Sequence, residues 1–351
     1  MYPASAVLST IQRQIADIKV LWVGGEGGME ARLVERANIP FKTIPAAGIH
    51  GVGLRQLPGN MIKLARGVKM SKKILDEFHP DVLFFTGGYV AVPMALAGMK
   101  IPSVLFVPDI EPGIALKTLA RFADRIAVTA EESRKYFSRT ERIILTGYPV
   151  RSELTNWSRS EACRMLNLSE NLPTLLIVGG SKGAHSINHA VLTHLPELLE
   201  VAQIIHISGE LDWTEVDRKA REMGDPHYHS FPYLHEDMGA ALAASDLVIS
   251  RAGASTLGEY PFFGLPSILV PYPHAWRYQK INAGYMVNHG AAVMLEDNNL
   301  ENELPILVRS ILSDRTRMES MQNAVKNLAR PQAASEIGSL LLELAGRRED
   351  R

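Results

Sequence analysis

The sequence holds one cysteine, Cys163, in 351 residues. An internal disulfide framework is thereby excluded, and a reducing compartment is expected. It also lacks charge of one sign: Lys and Arg number 37, Asp and Glu 38, for a formal net charge of −1. That balance argues against nucleic acid, whose binders carry a basic domain or stripe. No run approaches the roughly 18 uncharged apolar residues of a membrane span. No basic region followed by an apolar run marks a signal peptide at the N-terminus. What remains is 46% apolar and 21% charged, the composition of a soluble globular protein, and the length suits about two domains. A cytoplasmic two-domain protein is expected.

Short apolar runs alternate with amphipathic stretches almost throughout. IKVLWVGG, DVLFFTGG, PSVLFVP, RIAVT and RIILTG read as buried strands in the first half, and TLLIVGG, QIIHISG, DLVIS, PSILVPY and AAVML in the second. Runs that are hydrophobic on both faces and separated by helices predict parallel sheets covered on both sides. The expected fold class is α/β, with two doubly wound domains facing each other across a cleft and ligands outside the carboxyl ends of the strands. A polar, turn-rich passage near Tyr148 to Asn156 divides them. The expected partition is 1–148, 149–328, and a closing helix over 329–351 that crosses back to the first domain. The chain opens on YPASAVLSTIQRQ, a helix with Pro3 in its first turn. A helix leading into a parallel strand normally follows an earlier strand, and none precedes this one.

Strand ends carrying glycines in front of helices are the main chemical signal. In TLLIVGGSKGAHSIN, Gly179, Gly180 and Gly183 permit a tight turn, while Ser181 and the helix N-terminus offer donors to a phosphate or pyrophosphate. A glycine turn needed only for close packing is the other reading. LFFTGGYVAVP, with Gly87, Gly88 and Tyr89, is a second such loop. DLVISRAGASTLGEYPFFGLP is a third, in which Gly253, Ala254, Ser255 and Thr256 open a helix and Glu259 lies one turn inside it. A carboxylate there is a favourable dipole partner, or a bidentate acceptor for the two hydroxyls of a ribose. Beside a phosphate-type loop, the ribose reading is favoured, and a nucleoside diphosphate is expected in the second domain. His185 and His189, spaced i, i+4, have the geometry of half a zinc site, but no HExxH glutamate or third ligand accompanies them. HYHSF, with His227 and His229, reads as strand alternation. No metal is expected.

GGMEARLV, AAGIHGVG, HPDVLFFTGGYVAVP, LTGYPVR, VGGSKGA, RAGASTLGE and PYPHAWRYQKINA occur in one register along the chain. Together they resemble the MurG family, inverting glycosyltransferases of family 28 that add N-acetylglucosamine to the lipid-linked muramyl-peptide precursor of peptidoglycan. The resemblance implies the GT-B fold, a peripheral place on the inner face of the plasma membrane, and no cofactor. It implies UDP-N-acetylglucosamine as donor and an undecaprenyl-diphosphate-linked muramyl peptide as acceptor. On the donor side, Arg151 would contact the donor at the domain junction. Gly180, Ser181 and Gly183 would cradle the pyrophosphate, and the backbone of Leu234 would read the uracil edge. Ala254, Ser255 and Thr256 would surround the phosphates and Glu259 would hold the ribose. Gln279 would recognise sugar hydroxyls, with Asn282 nearby; an amide both donates to and accepts from hydroxyls. His274, in PYPHAWR, reads as a packing residue, with a functional contact as the other reading. The loops of the first domain, through Gly87, Gly88, Tyr89 and Asp109, would bind the lipid diphosphate.

QLPGNMIKLARGVKMSKK interleaves apolar residues with Lys63, Arg66, Lys69, Lys72 and Lys73, just after Arg55. Such a segment suits an anionic leaflet, or is a solvated helix face. The chain departs from the family in three places, the mildest being PHAWRYQ, one residue shorter than the common acidic version before the glutamine. A strand and a GGTGGH loop precede the position of Met1 in the family, so a segment carrying them is expected upstream. Where the family reads HEQN, this chain has Phe106, Val107, Pro108 and Asp109, with Leu116 at a position usually asparagine. Asp109 and Glu111 are therefore expected to face the cleft, as candidates for accepting the proton of the acceptor hydroxyl. A related transferase with another lipid or sugar acceptor, or a catalytically silent nucleotide-sugar binding protein, are the alternatives.

Overall fold

The structure is a computed structural model. It describes residues 2–15, 17–27, 34, 37–46, 57–180, 183–235, 237–273 and 277–349, with the backbone alone at 57 and 347–349. The chain divides into two compact units, Met1–Pro149 with Gln332–Arg351, and Val150–Pro331.

The first unit opens on helix α1 (Tyr2–Gln14), which buries Pro3, Ala6, Val7 and Ile11 at helical spacing. Strands β1 (Trp22–Gly25) and β2 (Phe41–Ile44) pair in parallel as a two-stranded sheet. Helix α2 (Leu57–Phe78) follows, then β3 (Leu83–Phe85), α3 (Ala91–Ala97), β4 (Ser103–Val107), α4 (Ile114–Leu119), β5 (Arg125–Val128) and β6 (Ile143–Leu145). Strands β3 to β6 form a four-stranded parallel sheet in sequence order. Its central strand β4 is buried along its whole length, which is why SVLFV carries apolar residues on both faces. Leu21 and Val23, at β1, pack on the same apolar cluster as the four-stranded sheet.

The second unit runs α5 (Arg159–Met165), β7 (Thr174–Val178), α6 (His185–Thr193), α7 (Leu195–Leu199), β8 (Gln203–Ile207), α8 (Trp213–Met223), β9 (Tyr228–Phe231) and α9 (Met238–Ala244). It continues with β10 (Leu247–Ser250), α10 (Thr256–Phe263), β11 (Ser267–Leu269), α11 (Tyr278–Asn288), β12 (Ala292–Met294), α12 (Leu300–Leu312) and α13 (Arg315–Asn327). The six strands form one parallel sheet in the order β12-β11-β10-β7-β8-β9. From β7 the chain winds one way to β8 and β9, then returns to β10 and winds the other way. The switch point lies between β7 and β10, whose registers pair Leu175 with Leu247 and Val178 with Ser250. At the opposite end of these strands, Arg159 forms a bidentate pair with Asp246 at 2.9 and 2.8 Å, and Asp246 also accepts from Thr174 N at 2.8 Å. Helix α5 is held by a complete capping box between Ser158 and Glu161. The closing helix α14 (Ala333–Glu349) is grouped with the first unit and packs on α1, where Gly338 faces Ile11.

Candidate functional site

In the second unit, the residues expected to bind a donor gather over the carboxyl ends of β7, β9, β10 and β11. Gly179 follows β7 so tightly that a Cβ on it would lie 2.3 Å from Ala184 N. Gly180 (φ +88°) and Gly183 (φ +79°) hold left-handed backbone, and a Cβ on Gly183 would lie 2.3 Å from Ser208 O. Only glycine makes this turn at this spacing. The loop delivers the chain into α6, whose free N–H groups and dipole favour an anion. Ser181 and Lys182 lie outside the described residues, as do His274, the GGMEARLV stretch apart from Gly27 and Val34, and the AAGIHGVG stretch beyond Ala46.

The neighbouring loop after β10 leads through Ala254 and Ser255 into α10, with Thr256 Oγ1 donating to Gly253 O at 2.7 Å. Glu259, one turn inside, is closely surrounded by protein, and burial pushes its pKa up to about 7; the positive charge of Arg151 opposes this. A carboxylate poised there holds its charge cheaply only when donors face it, which suits a pair of ribose hydroxyls. Leu234, after β9, is buried at 9% exposure, so its backbone rather than its side chain is what it offers to a ligand.

Two donor-side residues are hydrogen-bonded to the backbone. Asn282 is fully buried and donates through Nδ2 to Ala252 O at 3.2 Å, so it shapes the loop ahead of α10 from beneath. Gln279 accepts the N–H of Tyr272 at 2.8 Å through Oε1, and its Nε2 is a donor by chemistry. Sequence reasoning missed Arg251. Its guanidinium is 12% exposed, pairs with Asp297, donates to Ser186 Oγ at 2.8 Å, and lies 5.2 Å from the Tyr272 ring centroid. Ser186 in turn donates to Asp297 Oδ1 at 2.8 Å. The loops after β10, β11 and β12 and the first turn of α6 are thereby joined at the switch point. The signal was an arginine directly after a wholly buried strand, a place where a charge must find partners.

In the first unit, Gly87 (φ +107°) and Gly88 (φ +83°) follow β3, and Tyr89 beside them is 54% exposed. Leu116 packs beneath: a Cβ on Gly87 would touch its Cδ2 at 3.4 Å. Asp109, after β4, is half-buried, and Thr129 Oγ1 donates to Val107 O and Pro108 O on the same turn. The expectation that Glu111 faces an open site fails. Glu111 is buried at 2% exposure and Lys117 Nζ stands 3.5 Å from it. A carboxylate drawn into an apolar interior needs a cation, and α4 supplies one. The histidines at i, i+4 also find separate partners: His185 Nδ1 lies 2.9 Å from Asp212, and His189 Nε2 3.4 Å from Glu301. Among the described residues no group of three metal-ligating side chains forms.

Residues 1–128 match the glycosyltransferase family 28 N-terminal domain, and residues 174–337 match its C-terminal domain. The chain is therefore a glycosyltransferase of family 28. Within that class it belongs to the UDP-N-acetylglucosamine--N-acetylmuramyl-(pentapeptide) pyrophosphoryl-undecaprenol N-acetylglucosamine transferases, the MurG family. It is 39% identical over 373 residues to the protein of that name from Roseiflexus sp. (strain RS-1), covering 94% of this chain and 84% of that one. It is 34% identical over 352 residues to the one from Bacillus subtilis (strain 168), covering 98% and 96%. The fold is similar to a crystal structure of MurG from Acinetobacter baumannii, with a TM-score of 0.76 at 24% identity and coverage of 97% and 95%. It is also similar to a putative UDP-N-acetylglucosamine 2-epimerase from Listeria monocytogenes, with a TM-score of 0.69 at 12% identity and coverage of 97% and 93%. These last two likenesses concern the fold alone.

Proposed function

We propose that this chain transfers N-acetylglucosamine from UDP-N-acetylglucosamine to the undecaprenyl-diphosphate-linked N-acetylmuramyl-pentapeptide, with inversion at the sugar carbon, as a step of peptidoglycan synthesis. The observation that carries this is the grouping of Gly180, Gly183, Ser255, Thr256 and Glu259 around one switch point, in a chain of this family. The acceptor hydroxyl attacks the anomeric carbon from the face opposite the diphosphate. The bond from that carbon to the diphosphate oxygen breaks, its electron pair leaves with UDP, and the hydroxyl proton passes to a base. The N-termini of α6 and α10 and the backbone of the glycine loop stabilise the departing charge. Glu259 holds the ribose, Gln279 donates to a sugar hydroxyl, and Arg151 supports Glu259. Of the two acidic residues near the acceptor loops, Asp109 retains access to solvent while Glu111 is tied to Lys117, so Asp109 is the better placed base. Gly87, Gly88 and Tyr89 receive the lipid diphosphate. Release of UDP that depends on the muramyl lipid tests the reading; UDP release indifferent to that lipid overturns it.

The enzyme works peripherally on the cytoplasmic face of the membrane. No helix among the described residues is long and apolar enough to cross it. Helix α2 instead exposes Met61 at 58%, Ile62 at 57% and Met70 at 41%, interleaved with exposed Lys63, Arg66, Lys69, Lys72 and Lys73. Apolar side chains that enter the interface beside cations that meet anionic headgroups support attachment, at about 1 kcal/mol per basic residue. Co-sedimentation with phosphatidylglycerol vesicles is expected to fall on Met61→Glu/Ile62→Glu substitution; unchanged binding removes α2 from the membrane surface.

A further inference from the structure

Donor recognition leaves unused a chain of buried polar groups in the second unit. It begins at Tyr228 on β9, whose hydroxyl lies 2.7 Å from His206 Nδ1 on β8. His206 Nε2 lies 3.0 Å from Asn188 Oδ1 on α6. An amide oxygen only accepts, so Nε2 carries the proton and Nδ1 accepts from Tyr228. Burial keeps His206 neutral, its pKa pushed down to about 3, which preserves this polarity at any working pH. Asn188 Nδ2 donates onward to Ser208 O at 2.8 Å and to Asp212 Oδ2 at 2.7 Å. Asp212 Oδ1 meets the ring of His185, the first residue of α6, at 2.9 Å. Asn188 and His206 are buried at 1% and 0% exposure.

Two features tie this chain to the glycine loop rather than to the core at large. The Ser208 carbonyl that Asn188 holds is the same atom against which Gly183 is packed, with no room for a Cβ between them. Asp212 stands at the N-terminus of α8 yet caps nothing there; its two carboxylate oxygens go to α6 instead. Asp is a preferred capping residue, so its diversion is a local sacrifice made for the helix that follows the loop. An apolar filling of the same space would hold the sheet together as well, without specifying where a carbonyl and a helix start must sit.

We propose that Asn188 and His206 are positioning residues for the donor's diphosphate: through Ser208 O and Asp212 they fix the seat of Gly183 and the first turn of α6. This rests on the reading that the 179–183 loop cradles the diphosphate. Neither residue touches the donor, so their effect is confined to the phosphates. The test is calorimetric titration with UDP and with uridine, alongside thermal unfolding. The wild type is expected to prefer UDP strongly. Asn188→Asp keeps the shape but loses both donors and faces Asp212; the UDP-over-uridine preference is expected to fall tenfold or more, with uridine affinity kept. His206→Gln still offers an N–H toward Asn188 Oδ1 and is expected to retain more of the preference than His206→Leu. That pair carries the comparison where Asn188→Asp fails to fold. Variants that unfold at lower temperature yet keep the wild-type preference overturn the proposal and leave the loop reading standing. A wild type that binds uridine as tightly as UDP overturns the loop reading itself.

Discussion

Replacing Glu259 by glutamine separates its cost to the fold from its use to the donor. In the folded chain its pKa stands near 7 against a reference of 4.5, because the surrounding protein disfavours the charged form more than Arg151 favours it. Between those values the folded state holds a proton that the unfolded chain has released. The stabilising contribution is therefore complete below pH 4.5 and is lost as pH rises through 7. The span of 4.5 to about 7 converts to at most about 3 kcal/mol of stability, since one pKa unit is about 1.4 kcal/mol. Glutamine carries no such term. Urea unfolding of both proteins from pH 5 to 9 is expected to show the variant gaining on the wild type as pH rises, until the gap flattens above pH 8. Ribose hydroxyls donate to the ionised carboxylate, so wild-type affinity for UDP is expected to rise through the same range, by roughly tenfold per unit below pH 7. The variant is expected to bind UDP weakly and with a flatter pH profile. Parallel stability curves refute the buried-charge reasoning, and unchanged UDP affinity refutes the ribose contact.

Gly183→Ala combines a left-handed φ of +79° with a Cβ 2.3 Å from Ser208 O; donor affinity is expected to fall at least tenfold and stability by about 2 kcal/mol or more, read by titration and urea unfolding. Arg159→Met breaks the bidentate pair with Asp246 far from the donor loops. A loss of about 1–3 kcal/mol is expected with turnover of the folded protein unchanged, and an Arg159→Met/Asp246→Asn cycle measures the coupling. Asp109→Asn is expected to lower kcat by about a hundredfold or more, as for loss of a general base. Glu111→Gln is expected to act mainly on stability, because Glu111 is buried against Lys117. The reverse order in initial-rate kinetics returns the role to Glu111.

Of the twelve strands among the described residues, ten were legible as short runs of buried apolar residues, the mark of parallel strands covered on both faces. β9 was legible from the alternation in HYHSF. β2 escaped because FKTI is four residues long, lies between Pro40 and Pro45, and exposes Lys42 and Thr43 beside β1 alone. The glycine loops were legible because a left-handed turn at close approach admits almost nothing else. Side-chain direction was not. The backbone partners of Asn282 and Gln279, Ala252 O and Tyr272 N, lie 30 and 7 residues away and could not be read from the sequence. Glu111 looks like an exposed acid until Lys117 is placed against it. Arg251 and Asp212 were silent because Asp297, which pairs with the first, and Asn188, which donates to the second, lie 46 and 24 residues away in sequence, and only the sheet order brings them together.

The most direct test of the central claim is the product itself. The chain is incubated with UDP-N-acetylglucosamine and the undecaprenyl-diphosphate-linked muramyl pentapeptide, and the lipid fraction is examined by mass spectrometry and by the anomeric proton coupling of the new sugar. One added N-acetylglucosamine is expected, in the β configuration, with one UDP released per sugar transferred. A lipid fraction that gains no sugar, or gains it with the α configuration of the donor, contradicts it.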